Sequence, residues 1–242
     1  MSQPPLPAET RYWRRGDDRQ RVVTALFDRS AAHYDRACRI MAFGSGQAYR
    51  REALVRAGVR KGMEVLDVGT GTGLLAREIA DLVGPAGRIV GLDPSRGMLA
   101  AGRALAIERV QGLGEALPFA DGTFDLVTMG YALRHVPDLD QAFAEYRRVL
   151  RPGGRVLLLE ITRPRSALGL AAARAYFGLC VPLLTLAGTA SVEAAGLMRF
   201  YWETIAACVP PETVLASLDR ARFAGVSRGV VHGIFSEYRG ER

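Results

Sequence analysis

The chain has 242 residues, 49% apolar and 24% charged, with three cysteines, which excludes a disordered or disulfide-framed protein and allows one domain with a full core. Its net charge is +7, and all but one of its 32 basic residues are arginine. Such a surface favours RNA or anionic membrane on electrostatic grounds, and arginine-rich codon usage explains it equally well.

Residues 1–18 are proline-rich, then charged, and read as a flexible N-terminal arm; 19–242 read as a single domain. Val22, Val23, Leu26, Phe27 and Ala31 fit one helix face over 20–34, and a second helix covers 46–57. Strands and helices then alternate: strands at 64–68, 88–92, 107–110, 124–129 and 155–160, helices at 73–83, 96–105 and 139–150. Arg151-Pro152-Gly153-Gly154 stops the last of these helices and turns the chain into the next strand. After Pro164 the texture changes. Ala167 to Gly188 is nearly all apolar, broken only by Arg174 and Pro182, and is long enough to span a bilayer. Arg174 would be costly there, so a helical lid over an apolar substrate is preferred; a dimer interface and plain core packing are the other readings. Glu212–Ala221 reads as a helix, and strands near 223–226 and 229–235 as an antiparallel pair at the sheet edge. The expected fold is α/β: Rossmann-like and doubly wound, with N-terminal helices and a mostly parallel seven-stranded sheet that has an antiparallel edge strand. Within it, 60–162 form the ligand-binding core, 163–221 the apolar helical lid and 222–239 the terminal strands. Cys38, Cys180 and Cys208 show neither metal-ligand nor C-x-x-C spacing, so no metal is expected and they read as buried thiols. No apolar leader opens the sequence, which points to a cytoplasmic protein with membrane association left open.

The run Val65-Leu66-Asp67-Val68-Gly69-Thr70-Gly71-Thr72-Gly73 carries the most chemistry. A strand that passes through glycines into a helix brings backbone close to a ligand at the C-terminal edge of a parallel sheet. A dinucleotide loop needs G-x-G-x-x-G, but the third glycine would fall on Leu74 or Ala76. A phosphate-cradling loop ends in G-K-[ST], but the only lysine, Lys61, lies upstream. The remaining pattern, D-x-G-x-G-x-G, resembles motif I of class I S-adenosylmethionine methyltransferases. That resemblance makes Asp67, Gly69, Thr70, Gly71, Thr72 and Gly73 candidate cofactor residues, Asp67 either orienting the loop or reaching the cofactor amine through water. The competing reading is a glycine-rich turn with no ligand.

Asp93 lies 20 residues past Gly73 at the end of the second strand. A carboxylate there can accept both ribose hydroxyls, or it can cap the helix that follows Pro94, a job for which Ser95 is equally placed. Met98 can pack on the adenine face or serve as core. The loop Gly112-Leu113-Gly114-Glu115 follows the third strand and can offer groups to the adenine edge, while Asp125 reads as structural. After the fourth strand comes Gly130-Tyr131-Ala132-Leu133-Arg134-His135, which should reach the transferred methyl group.

This loop, with Glu115-Ala116-Leu117-Pro118-Phe119, Arg148 to Gly154, Leu159-Glu160-Ile161, Tyr34-Asp35, Met41 to Gly44 and Tyr238-Arg239-Gly240, resembles the ubiquinone/menaquinone C-methyltransferase family from about Arg21 to Gly240. The resemblance implies S-adenosylmethionine as cofactor, S-adenosylhomocysteine as product and methylation of a ring carbon on a prenylated quinol. It implies that Tyr34, Pro94 and Gly130 join the cofactor site and that Arg134 and His135 are catalytic. Arg134 would be a permanent cation near the developing phenolate; His135 would be either a general base or a hydrogen-bonded loop residue. His33 and His232 read as structural. Leu113 stands where the family has Asp or Asn facing adenine, His135 replaces Asn and Ala132 replaces Gly. The expected partner is an apolar small molecule, with peripheral membrane contact and a homodimer as further expectations and no nucleic acid. Rival substrates are a natural-product phenol or an aminophospholipid; RNA methylation and non-catalytic binding are weaker rivals.

Overall fold

A computed structural model of the chain describes residues 11–14 and 18–242. The rest of the expected N-terminal arm lies outside the described residues. Within that arm Trp13 is buried, and Tyr12 and Trp13 both pack edge-on against Phe200. That stretch is therefore anchored by aromatic burial that its polar neighbours conceal.

The sheet has seven strands in the order β3-β2-β1-β4-β5-β7-β6. They are β1 Glu64–Val68, β2 Arg88–Asp93, β3 Glu108–Gln111, β4 Phe124–Gly130, β5 Leu150–Ile161, β6 Ala224–Val231 and β7 Phe235–Glu241. Strands β1 to β5 pair in parallel; β7 is antiparallel to both β5 and β6, which places β6 at the edge. Side chains alternate across the sheet, as a period of two requires. Leu66, Val90, Val127 and Val156 pack with α6 (Leu139–Val149) and α10 (Pro211–Arg220), while Val65, Ile89, Leu126 and Leu157 pack with α3 (Gly46–Arg56) and α4 (Leu74–Val83). A third core joins α1 (Arg19–Ser30) and α2 (Tyr34–Met41) to α7 (Ala167–Ala175), α8 (Val181–Thr189) and α9 (Val192–Ala207). Asp28 on α1 ties this cap to α5 (Arg96–Ala101), accepting the Gly97 amide at 2.8 Å and the Ser95 hydroxyl at 2.5 Å.

Three expectations change. The expected strand 223–226 and the first part of the expected strand 229–235 fall within the single strand β6, the rest of the latter is the turn, and β7 begins only at Phe235. The reversal sits at His232 and Gly233, with φ of 50° and 74°, and the charges of Glu237, Arg239 and Glu241 hide β7 from an apolar pattern. The Arg151–Gly154 turn is absorbed into a long β5, as a register shift opposite Phe124 and Leu126. Cys180 is exposed rather than buried. Asp125 is structural as expected, accepting the Glu64 amide and the Arg151 guanidinium at 2.8 Å each.

Candidate active site

β1 delivers Asp67 to the C-terminal edge of the sheet, and the glycine loop turns there. Gly69, Gly71 and Gly73 take φ of 67°, 58° and 89°, a region in which a side chain is strained. Space fixes Gly69 as well, because a Cβ would lie 2.6 Å from that of Ala132. The amides of Gly69 and Thr70 donate to the Leu92 carbonyl at 2.8 and 3.1 Å, pinning the loop to β2. Asp93 accepts the Gly71 amide on Oδ2 and the Ser95 amide on Oδ1, both at 2.8 Å. Ser95, not Asp93, caps α5 through the Met98 amide.

The Thr128 hydroxyl donates to Asp67 Oδ1 at 2.7 Å. Asp67 Oδ2 and the Thr70 hydroxyl are buried with no hydrogen-bond partner among the described residues, and both residues border a cavity of about 480 Å³. Burial pushes the carboxyls of Asp67 and Asp93 each up to about 6, which leaves both ionised at neutral pH. A buried acceptor without a donor, beside backbone that admits no Cβ, suits a ligand carrying an ammonium and hydroxyls: the amino-acid and ribose portions of S-adenosylmethionine.

The cavity brings together six of the expected cofactor residues: Asp67, Gly69, Thr70, Gly71, Gly130 and Tyr34. Thr72, Gly73, Asp93, Pro94, Met98, Leu113, Gly114 and Glu115 lie outside its lining. The Thr72 hydroxyl donates to Asp35 at 2.5 Å, and the Pro94 carbonyl accepts from the Gln111 side chain at 3.0 Å. Met98 is buried against Gly71, and Gly114 has the Tyr146 hydroxyl 2.7 Å from where a Cβ would be. Leu113 is 41% exposed and offers no side-chain acceptor, while Glu115 has a buried Oε1 with no partner.

The opposite wall is aromatic, with Tyr49 from α3, Tyr131 after β4, Tyr176 and Phe177 between α7 and α8, Tyr201 from α9 and Phe235 from β7. The Tyr34 and Tyr201 hydroxyls are 2.6 Å apart. Burial pushes both phenols above their ordinary value, so both keep their protons. Their mutual hydrogen bond uses one proton and leaves the other free to donate. Arg50, whose Nε is buried without a partner, and His232 also line the cavity. Sequence reasoning missed Tyr49, Arg50 and Tyr201 and took His232 as structural. No local motif marks them, because they meet only through tertiary packing.

Arg134 and His135 are not on the cavity wall. Arg134 is fully buried behind Tyr201, its guanidinium 4.5 Å from that ring's centroid. It donates to Glu160 at 2.7 Å, to the Tyr131 carbonyl at 2.8 Å and to the Thr204 hydroxyl at 3.0 Å. Burial is the largest single influence and works against its charge, but Glu160 together with Tyr201, Cys208 and Tyr34 more than offsets it and raises its affinity for the proton. His135 stacks on Phe200 and meets Phe27 edge-on, and neither ring nitrogen has a partner. Burial, reinforced by the charges of Arg134 and Arg19, pushes its pKa well below the ordinary value. The residue expected to be a base or a hydrogen-bonded loop residue thus lies between two aromatic rings, off the cavity wall. Among the described residues no group of three His, Cys, Asp or Glu side chains is placed to hold a metal.

A family model described as the ubiE/COQ5 methyltransferase family matches residues 15–231. The ubiquinone/menaquinone biosynthesis C-methyltransferase UbiE of Hahella chejuensis is 35% identical over 227 residues, covering 88% of this chain and 90% of that relative. The protein of the same name from Pseudomonas paraeruginosa is 36% identical over 227 residues, covering 90% and 88%. Among solved structures, an S-adenosylmethionine-dependent methyltransferase of Thermotoga maritima aligns with a TM-score of 0.63 at 22% identity, over 90% of this chain and 98% of its own. Phosphoethanolamine N-methyltransferase 2 of Haemonchus contortus, solved with S-adenosylmethionine, aligns at 0.62 and 18% identity over 90% of this chain and 47% of its own. At such identities the two structures speak for the fold alone.

Proposed function

Because the chain belongs to the ubiE/COQ5 methyltransferase family and is an S-adenosylmethionine-dependent methyltransferase, we propose that it methylates a ring carbon of a prenylated quinol inside the cavity above β1 and β4. One observation carries the choice of acceptor: the cavity runs without interruption from the glycine loop to an aromatic wall that holds a pair of protonated tyrosine hydroxyls. An apolar ring suits the aromatic side, and its oxygen suits the hydroxyls.

When bound, S-adenosylmethionine supplies a sulfonium methyl that an electron-rich carbon attacks in line, the sulfur–methyl bond breaking to leave S-adenosylhomocysteine. Asp67, Thr70 and Gly71 on the cavity wall, with Asp93 behind them, would hold its amino-acid and ribose portions, and Met98 and Gly114 would serve the base. A neutral ring carbon is a weak nucleophile, so the chain must help remove the proton of the neighbouring ring hydroxyl. His232, the imidazole on the cavity wall, takes that proton and passes it to solvent. The free hydroxyl proton of the Tyr34–Tyr201 pair donates to the resulting oxyanion, and the Arg50 charge supports it from the same wall. The new carbon–methyl bond forms ortho to that oxygen, which becomes a ring ketone; the same carbon's hydrogen then leaves as a proton to solvent, its electron pair restores the aromatic ring, and the oxygen regains a proton, so one proton is released per methyl transferred. Arg134 acts through others: it fixes the Tyr131 carbonyl and lies beneath the Tyr201 ring, which makes it a positioning residue.

The test incubates the chain with methyl-labelled S-adenosylmethionine and, separately, demethyl quinols, phospholipids and RNA. Label transferred to the quinol pool alone is the expected result; label in phospholipid or RNA with none in quinol contradicts the proposal.

A further inference from the structure

The segment 167–189 forms a helical run of 23 residues, long and apolar enough to cross a membrane by length and composition. Its inner face is committed to the protein, because Ala173, Phe177, Val181 and Thr185 are buried. Its outer face is uncovered. Leu168 is 82% exposed, Leu179 56% and Leu183 57%, and Leu186 is exposed with them. Isolated exposed leucines are ordinary, whereas a row of them along one helix is not.

The row lies between two shallow grooves that share Arg11 and Arg199. One adds Arg163 and Arg174 around Leu170 and Leu179, and the other adds Arg29 beside Leu183 and Leu186. Against these five arginines the grooves hold two carboxylates, Glu203, engaged by Arg11, and Glu193, engaged by the Ser191 hydroxyl. Apolar side chains fringed by this excess of cations over carboxylates complement a surface of anionic headgroups over acyl chains. The cavity mouth lies beside the same helix: Phe43, 77% exposed, borders the cavity and sits 5.8 Å from the Tyr176 ring.

We propose that the outer face of α7–α8 and its arginine fringe dock on the surface of an anionic phospholipid bilayer, setting the cavity mouth at the level of the lipid. The helix lies in the interface and does not span it. This goes beyond the methylation reading and does not depend on it, since docking is measured without turnover.

The experiment is sedimentation of the full chain with extruded vesicles of phosphatidylcholine alone or with about one-third phosphatidylglycerol. Binding to the anionic vesicles that falls as salt rises is expected. Arg174→Glu with Arg199→Glu should weaken it by at least about 25-fold, roughly fivefold for each cation lost. Leu179→Ser with Leu183→Ser should weaken it about tenfold or more while thermal unfolding stays cooperative. Equal binding to neutral and anionic vesicles, binding to neither, or variants that bind like the wild type would overturn the proposal. So would sedimentation velocity showing a wild-type dimer that the serine pair dissociates, with no vesicle binding by either form; the face would then join two copies of the chain.

Discussion

The two walls of the cavity are assembled on different terms. The wall over β1 and β2 is made of backbone and carboxylates within one βαβ unit, where Gly69, Gly71, Asp67 and Asp93 lie within a few hydrogen bonds of one another. The facing wall gathers side chains from distant parts of the sequence: Tyr34 and Tyr201 share a hydrogen bond across 167 positions. The first wall tolerates almost no change because its backbone is strained and closely approached. The second is held by packing, which accepts substitutions of similar shape more readily. On the proposed function, cofactor recognition rests on local geometry and acceptor choice on tertiary assembly.

The comparison breaks most visibly at His232. His232→Ala should lower kcat by roughly 10²–10⁴-fold, the usual contribution of a general base, while calorimetry finds cofactor affinity unchanged. An unaltered kcat removes His232 from proton transfer. Behind the glycine-loop wall, Asp93→Ala takes the acceptor from the Gly71 and Ser95 amides and from the ribose it is proposed to hold. A loss of about 10–100-fold in cofactor affinity is expected, from charge-assisted hydrogen bonds worth roughly 1.5–3 kcal/mol. Wild-type affinity in that variant would mean the ribose is held elsewhere.

A smaller effect comes from pH. Asp67 and Asp93 titrate near 6 when folded, because of burial, against about 3.9 for an unfolded aspartate. The folded chain therefore takes up protons between those values. Their contribution to stability is fully present below about pH 4 and is lost as the pH rises through about 6. Cofactor affinity runs the other way, weakening towards tenfold per pH unit for each carboxylate that must be ionised below about pH 6. Urea unfolding and cofactor titration across that window check both signs, and Asp93→Asn should flatten both curves. The smallest effect is expected at His135. His135→Phe keeps an aromatic ring between Phe27 and Phe200, so turnover should stay within about threefold and stability within about 1.5 kcal/mol. A collapse of turnover with an intact fold would restore His135 to the chemistry.

The same contrast explains what could be read in advance. The glycine loop, Asp93 and the five parallel strands were legible because each is encoded by neighbours in sequence: a strand, a turn that excludes side chains, a helix. The β6–β7 hairpin was misplaced because its turn falls at His232-Gly233, and the Ser227-Arg228-Gly229 stretch imitates one inside β6. His135 looked like a base because it follows a strand that points at the cofactor. The two phenylalanines that enclose it come from α1 and α9, which nothing near position 135 announces. Tyr201 and Arg50 stayed hidden for the same reason, since each lies in a helix whose local pattern says only that it is a helix.

The proposed function requires that the methyl group go onto carbon. Nuclear magnetic resonance of the product formed from a prenylated demethyl quinol and isotope-labelled methyl donor tests it most directly. A labelled methyl coupled to a ring carbon ortho to a hydroxyl oxygen, with both ring hydroxyls free, is the expected result. A labelled methyl on a ring oxygen would contradict it.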